Sequence, residues 1–196
     1  NLNDDTIISL VDQNLEGNYS PINSFIPEDN VSYELSIIYN NEIFKGITTK
    51  SKTPNFINVK QGDNTLFSGE ETEVVVEFQD DESKENYYLI DFSKNLYLTI
   101  EDRFFNGSDY NFSFFFQEDE IELPEDIIVK MSGITKDYHT YFRVLSNQSG
   151  QSGGGPFQTT PSSLLGNIVN TTYSENFPLG YFHIAETATY FLSLTE

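Results

Sequence analysis

The sequence predicts a mainly β protein, an antiparallel β-sandwich or barrel-like domain with one α-helix near residues 135–148. Apolar residues alternate with period two in most segments, which is the strand pattern. These residues are mainly Phe, Tyr, Ile and Val, the types that favour strands. Only one segment has a helical period. A domain with one helix among many strands is typically a sandwich or a barrel.

The first clear strand alternates from Tyr33 to Tyr39. Asn40-Asn41 follows, and Asn tolerates positive φ, so this pair predicts a two-residue hairpin turn. The chain resumes at Ile43. The sequence therefore predicts an antiparallel hairpin here.

The central part predicts three strands, at residues 73–78, 86–92 and 96–100, the first two joined by an acidic loop. Asn106-Gly107 then predicts a type I′ hairpin turn. The strands expected after it are residues 110–116, an aromatic run, and residues 127–131.

Ile134, Tyr138, Tyr141 or Phe142, and Leu145 recur at steps of three and four residues, which predicts a helix over residues 135–148. Ser132 or Thr135 is expected to cap its N-terminus. A Gly-rich stretch from Gly150 must be a loop. Two strand-like runs close the chain, residues 179–184 and 187–194.

Charge excludes two classes of partner. The chain has 10 Lys and Arg against 31 Asp and Glu, a formal net charge of −21. Phosphate groups of nucleic acids and of anionic lipids would be repelled. The absence of Cys also excludes disulfides, thiolate metal sites and cysteine nucleophiles.

No catalytic, metal-binding or cofactor-binding residue is predicted. His139 and His183 lack a metal spacing, and His139 is expected to point to solvent from the helix. The acidic stretches Asp80–Glu82 and Glu118–Glu120 are open to two interpretations, a cation site of a metal-dependent hydrolase or solvated turns. Ser152 lies in a Gly-x-Ser-x-Gly pattern without the strand and helix that a nucleophile elbow needs.

The abundant aromatic residues have two readings. Tyr and Phe on strands usually lie in the core. An exposed platform formed by tyrosines would instead suit sugar rings or a partner surface. The residues predicted for such a platform are Tyr87, Tyr88, Tyr97 and Tyr110.

The order of motifs resembles the Bacteroidota domain-of-unknown-function 4249 family. Near the C-terminus, the motifs on which this resemblance rests are Tyr138-x-x-Tyr141-Phe142-x-x-Leu145, Pro156-Phe157, Pro161, Gly166-Asn167-Ile168-x-Asn170 and Leu179-Gly180-Tyr181-Phe182. Upstream they are Gly17-x-Tyr19, Tyr33-x-Leu35-x-Ile37, Thr53-Pro54, Val74-x-Val76-x-Phe78-x-Asp80, Asn86-Tyr87-Tyr88 and Asp102-x-x-Phe105-Asn106-Gly107.

The resemblance implies a division of the chain. Residues 1–53 would be the last strands of an N-terminal Ig-like or transthyretin-like β module, and residues 54–196 the main β domain. Members usually begin with a lipid-bearing Cys followed by several strands. We therefore expect the lipidated residue and the first strands to precede Asn1.

The resemblance also implies a function. It indicates a non-enzymatic lipoprotein of the outer membrane, held there by its lipid and acting as an accessory of a TonB-dependent receptor, a β-barrel protein. The alternatives are a carbohydrate- or glycopeptide-binding module and, less favoured, a metal-dependent hydrolase. The partner contact is expected in the Gly-rich loop at Gly153, Gly154, Gly155, Pro156 and Phe157, because glycines allow close backbone approach.

Overall fold

The computed structural model describes residues 1–149 and 164–196, and it is mainly β, as the sequence predicts. The strands are β1 (Leu10–Asp12), β2 (Tyr19–Pro21), β3 (Ser32–Tyr39), β4 (Glu42–Ser51), β5 (Phe56–Gln61), β6 (Thr72–Gln79), β7 (Tyr87–Asp91), β8 (Tyr97–Glu101), β9 (Asp109–Phe116), β10 (Glu125–Ile134), β11 (Ile168–Asn170), β12 (Ile184–Ala185) and β13 (Thr187–Leu194). The helix α1 (Lys136–Gln148) follows β10.

The chain forms two compact units, leaving out residues 150–163. Unit 1 holds Asn1–Lys50 and residues 164–184, and unit 2 holds residues 51–149 and Ala185–Glu196. The division between residues 53 and 54 stays a prediction.

Unit 2 is built from two antiparallel sheets. One has the strand order β5-β6-β9 and the other β13-β10-β7-β8. Side chains from both sheets fill one core, among them Val74, Val76, Phe78, Tyr88, Ile90, Val129 and Met131. The predicted sandwich is therefore confirmed, and within the described residues neither sheet closes into a barrel.

Unit 1 centres on the β3–β4 hairpin. Asn40 and Asn41 have φ of 48° and 63°, and Tyr39 pairs with Glu42, so the predicted two-residue turn is confirmed. β11 pairs with the other edge of β4. A two-stranded sheet of β1 and β2 belongs to the same unit.

The helix prediction is confirmed. Thr135 is the N-cap, and its hydroxyl accepts a hydrogen bond from the Tyr138 backbone N–H at 3.1 Å. Phe142 packs edge-on against Tyr97 of β8 with ring centres 5.5 Å apart. The helix therefore covers part of the four-stranded sheet of unit 2.

Two local predictions are wrong. Asn106-Gly107 does not close a hairpin, because β8 pairs with β7 whereas β9 pairs with β6, so the turn connects two different sheets. The run at residues 179–184 is strand only at Ile184. The Asn167 side chain instead pairs with the backbone of Phe182, taking the place of a neighbouring strand.

Candidate functional site

The predicted partner loop cannot be compared with the structure. Gly153, Gly154, Gly155, Pro156 and Phe157 lie outside the described residues, as does Ser152. A partner contact at this loop stays a prediction.

Of the first acidic stretch, Asp80 belongs to an internal hydrogen-bond network, whereas Asp81 and Glu82 are exposed. Asp80 is buried, and its carboxylate accepts hydrogen bonds from the Tyr88 hydroxyl and, at 2.9 Å, from the Gly107 backbone N–H. Gly107 has φ of +75°, and a Cβ there would lie 2.5 Å from the Cβ of Glu82. The β6–β7 and β8–β9 connections are thus tied together by one carboxylate.

Asp102 adds a second bond to the same network. Its carboxylate accepts a hydrogen bond from the Asn86 backbone N–H at 2.7 Å. Burial raises the pKa of Asp102, and the nearby Asp80 charge raises it further. The Asn86 side chain in turn donates to the carbonyls of Asp81 and Lys84. These buried side chains hold turns together, so the solvated-turn alternative is wrong for Asp80.

Two further buried carboxylates, which the sequence analysis did not single out, hold the loop between β5 and β6. Glu71 accepts hydrogen bonds from the backbone N–H groups of Leu66, Ser68 and Gly69. The hydroxyl and backbone of Ser68, with the backbone of Leu66, lower the pKa of Glu71 to about 2. Glu73 accepts from the Asn64 side chain and backbone at 2.8 and 2.9 Å.

The prediction for His139 is wrong. The side chain is buried, not exposed, and its ring lies 5.1 Å from the Tyr87 ring. Burial lowers the pKa of His139. His183 is half-buried just before β12. The structure therefore places His139 in the packing beneath the helix.

The tyrosine platform is not formed by the four predicted residues. Tyr87 and Tyr88 are buried, and Tyr97 and Tyr110 are half-buried. Tyr110 stacks on Phe105 with ring centres 3.8 Å apart. The carbohydrate-binding alternative stays a prediction, and these side chains offer it no exposed patch.

Within residues 1–149 and 164–196, no group of three or more His, Asp or Glu side chains is placed to hold a metal ion. In the same residues, α1 falls short of the length and apolar character needed to cross a bilayer.

The motif residues near the C-terminus build unit 1. Asn170 is buried, and its amide nitrogen donates to the Glu42 carboxylate and to the Asn176 carbonyl. Its amide oxygen accepts from the backbone N–H groups of Thr172 and Tyr173. This side chain folds the segment after β11 against β4.

A close backbone approach explains the first glycine of that motif. A Cβ on Gly166 would lie 1.8 Å from the Gly180 carbonyl oxygen. Thr53 connects segments within unit 2. Its hydroxyl donates a hydrogen bond to the Glu186 carbonyl and accepts one from the Gly133 N–H, both at 2.6 Å. Several of the motif residues therefore specify architecture.

One face of the β3–β4–β11 sheet is the best candidate for a binding surface in unit 1. Ile38 and Ile43 lie opposite each other in the β3–β4 ladder, and Ile47 shares their face because side chains alternate along β4. Val169 lies opposite Lys45 and completes the row. Relative exposure is 76% for Ile38, 55% for Ile47 and 56% for Val169.

An ion pair lies within this apolar face. The Lys45 ammonium and the Glu34 carboxylate are 2.8 Å apart, and both side chains are partly exposed. An exposed apolar row around a compensated charge pair suits a protein partner better than solvent. We call the set of Ile38, Ile43, Ile47 and Val169 the isoleucine face.

A family model described as "Domain of unknown function (DUF4249)" matches residues 1–190. No curated protein and no solved structure matches the chain.

Proposed function

Because the chain belongs to the DUF4249 family, as its motif order predicts, we propose that it is a non-enzymatic accessory subunit of an outer-membrane TonB-dependent transporter or a related outer-membrane complex. The role would be ligand capture or complex assembly by a lipid-anchored cell-envelope protein. Family membership is the observation that carries the proposal, since the resemblance implies this setting.

Exposed apolar side chains of unit 1 support contact with a protein partner. Beyond the isoleucine face, further large apolar side chains of this unit are exposed: Ile7, Leu15, Tyr19, Ile22, Ile26, Tyr173, Phe177 and Leu179. Isolated exposed apolar residues are ordinary, whereas grouped ones mark interaction surfaces. We assign the isoleucine face to the contact with the β-barrel partner.

The acidity of the chain is compatible with anchoring by a lipid. A net charge of −21 opposes attraction to anionic headgroups. Acyl chains bind a bilayer through buried CH₂ groups and need no basic surface when two or more are attached. An anchor upstream of Asn1 would therefore hold this chain at a membrane.

The test is a pull-down of the full-length native protein from its own outer membrane, with mass spectrometry of the recovered proteins. Wild type is expected to recover a TonB-dependent receptor in near-equal amount. Ile47→Lys is expected to lower that recovery at least tenfold, because it places a charge in the apolar contact. Ile57→Lys in unit 2 is the matched control, since Ile57 is 52% exposed and Ile47 is 55% exposed.

Two outcomes would count against the proposal. Recovery of no β-barrel protein with wild type would remove the proposed function. Equal loss of the receptor with Ile47→Lys and Ile57→Lys would leave the function standing but remove the isoleucine face as its contact.

A further inference from the structure

We propose that the loop between β5 and β6, residues 62–71, is a preformed docking loop. It would insert Phe67 into an apolar pocket, bordered by Lys and Arg side chains, on a protein partner. Phe67 has a relative exposure of 106%, so its whole ring is presented to solvent. Leu66 beside it is 47% exposed.

The loop is held in shape by the two glutamates at its base. Leu66, Ser68 and Gly69 donate backbone N–H groups to Glu71, so the residues on either side of Phe67 are fixed. Glu73 fixes the opposite limb through Asn64.

Glu71 and Glu73 are themselves held in place at the base of the loop. Both are buried, and the carboxylate of Glu73 also accepts a hydrogen bond from Ser113 in β9. A Cβ on Gly62 would lie 2.0 Å from the Glu73 carboxylate oxygen, so the limb passes directly over that side chain. Phe67 is therefore exposed on an anchored turn.

Anchoring makes an exposed aromatic effective in binding. A loop that is already ordered loses little conformational entropy when a partner binds. Aromatic side chains that enter a partner's pocket are frequent hot spots.

Charge indicates the chemistry of the pocket. Every ionisable side chain in residues 62–71 and in the adjacent residues 117–122 is a carboxylate: Asp63, Glu70, Glu71, Glu118, Asp119, Glu120 and Glu122. Ser68 of the loop and Gln117, Glu118 and Asp119 line one shallow depression, so the two segments are neighbours. A partner that accepts Phe67 brings its rim against this acidic surface, and a basic rim is complementary.

The same charges disfavour the other occupants. Anionic lipid headgroups would be repelled. A second copy of this chain, with its own charge of −21, would have to bring like charges together. A basic protein surface with an apolar pocket is therefore the occupant that we propose, whether or not the partner is a transporter.

The first experiment replaces Phe67 with the photo-cross-linker benzoylphenylalanine in the full-length protein, in its native cells. After irradiation, the cross-linked residue of the partner is mapped by mass spectrometry. The proposal expects a cross-link in an apolar pocket with Lys or Arg on its rim. No cross-link, or a cross-link to an acidic or wholly polar surface, would overturn it.

The second experiment measures the affinity for the partner so identified. Phe67→Ala is expected to weaken binding about 30-fold, the effect of losing a hot-spot anchor. Phe104→Ala is the matched control, because Phe104 is 91% exposed on another turn of unit 2. Both substitutions remove an exposed ring, so folding is preserved, which circular dichroism would verify. Equal effects of the two variants would contradict the proposal.

The third measurement tests the charge complementarity. Glu118→Gln with Asp119→Asn is expected to lower the association rate and its dependence on salt. Glu16→Gln with Glu175→Gln removes the same charge from unit 1 and is expected to leave both unchanged. If the two double variants behave alike, the acidic rim has no specific role and the proposal fails.

Two further outcomes would replace the proposed occupant. Flotation with phosphatidylcholine vesicles that depends on Phe67 would indicate lipid. A cross-link between two copies of this chain would indicate self-association. The receptor pull-down tests the proposed function, whereas the cross-link from position 67 tests this inference. A cross-link to a basic protein when wild type recovers no β-barrel protein would overturn only the proposed function. Recovery of the receptor without any cross-link from position 67 would overturn only this inference.

Discussion

At the scale of single residues, buried carboxylates accept hydrogen bonds at the turns of unit 2, where the chain leaves one strand and enters the next. Asp80, Glu71 and Glu73 each accept two or more hydrogen bonds, whereas within the described residues Asp102 accepts one, from the Asn86 backbone N–H. A buried charged acceptor is stabilising only when donors surround it. The four acids are therefore expected to differ in how they tolerate substitution.

Asp80→Asn is expected to lower the free energy of unfolding by about 2 kcal/mol. Asparagine has one amide oxygen, so either the Tyr88 hydroxyl or the Gly107 N–H would face an amide NH₂ group. Asp102→Asn is expected to cost under ~0.5 kcal/mol, because one oxygen satisfies Asn86 and the buried charge is removed. Urea unfolding at pH 7 measures both, and a larger loss for Asp102→Asn would contradict the assignment.

Glu71 gives a pH dependence with a definite sign. Its pKa falls from an ordinary value of 4.5 to about 2 on folding. The stability that it contributes is therefore complete above pH 4.5 and is lost as the pH falls through 2.

The stability difference between wild type and Glu71→Gln is expected to be largest at pH 7, smaller at pH 3 and absent below pH 2. Urea unfolding of the two proteins at these values measures it. A difference that stays constant with pH would show that the loop does not depend on the charge of Glu71.

The candidate site residues were only partly predictable. Period-two alternation identifies Ile43 and Ile47 as sharing one face, but alternation cannot say which face of β4 is exposed. Phe67 lies in a loop without periodicity, so its exposure depends on hydrogen bonds to Glu71 that no local pattern reveals. His139 was misplaced because the buried stripe of α1 is centred one residue after Tyr138.

At the scale of elements, the sequence predicts those features that depend only on residues close together in the chain. The Asn40-Asn41 turn and the Thr135 cap follow from intrinsic preferences and are confirmed. Asn106-Gly107 has an equally strong turn preference and was assigned wrongly, because strand pairing is decided by distant segments. Here the Gly107 N–H donates to Asp80, which lies 27 residues earlier in the chain, before β7 and β8.

The shortest strands were not predictable for the same reason. β11 has three residues and β12 two, too few to show alternation. β11 exists because β4 pairs with it, and its Asn170 side chain closes the turn that follows. Such strands are consequences of tertiary contacts.

At the scale of the whole molecule, the net charge lowers the stability of the folded state. With −21 charges on 196 residues, the folded chain repels itself more than the expanded unfolded chain does. Raising NaCl from ~10 mM to ~150 mM shortens the Debye length from about 30 to about 8 Å.

The melting temperature is expected to rise by about 3 °C over that range, the effect of roughly 1 kcal/mol for a chain of this size. Differential scanning calorimetry with NaCl and KCl at equal ionic strength measures it. Different shifts for the two salts, or none, would show that screening of the net charge is not the cause.

Unit 1 is formed by two separate segments of the chain, so its strands are synthesised at different times. β4 leaves the ribosome before its partner β11, which begins about 117 residues after β4 ends. At about 5–20 residues per second, the β3–β4 hairpin waits about 6 to 23 s for that strand. During this interval, the edge of β4 that β11 later covers is open to chaperones and to other chains.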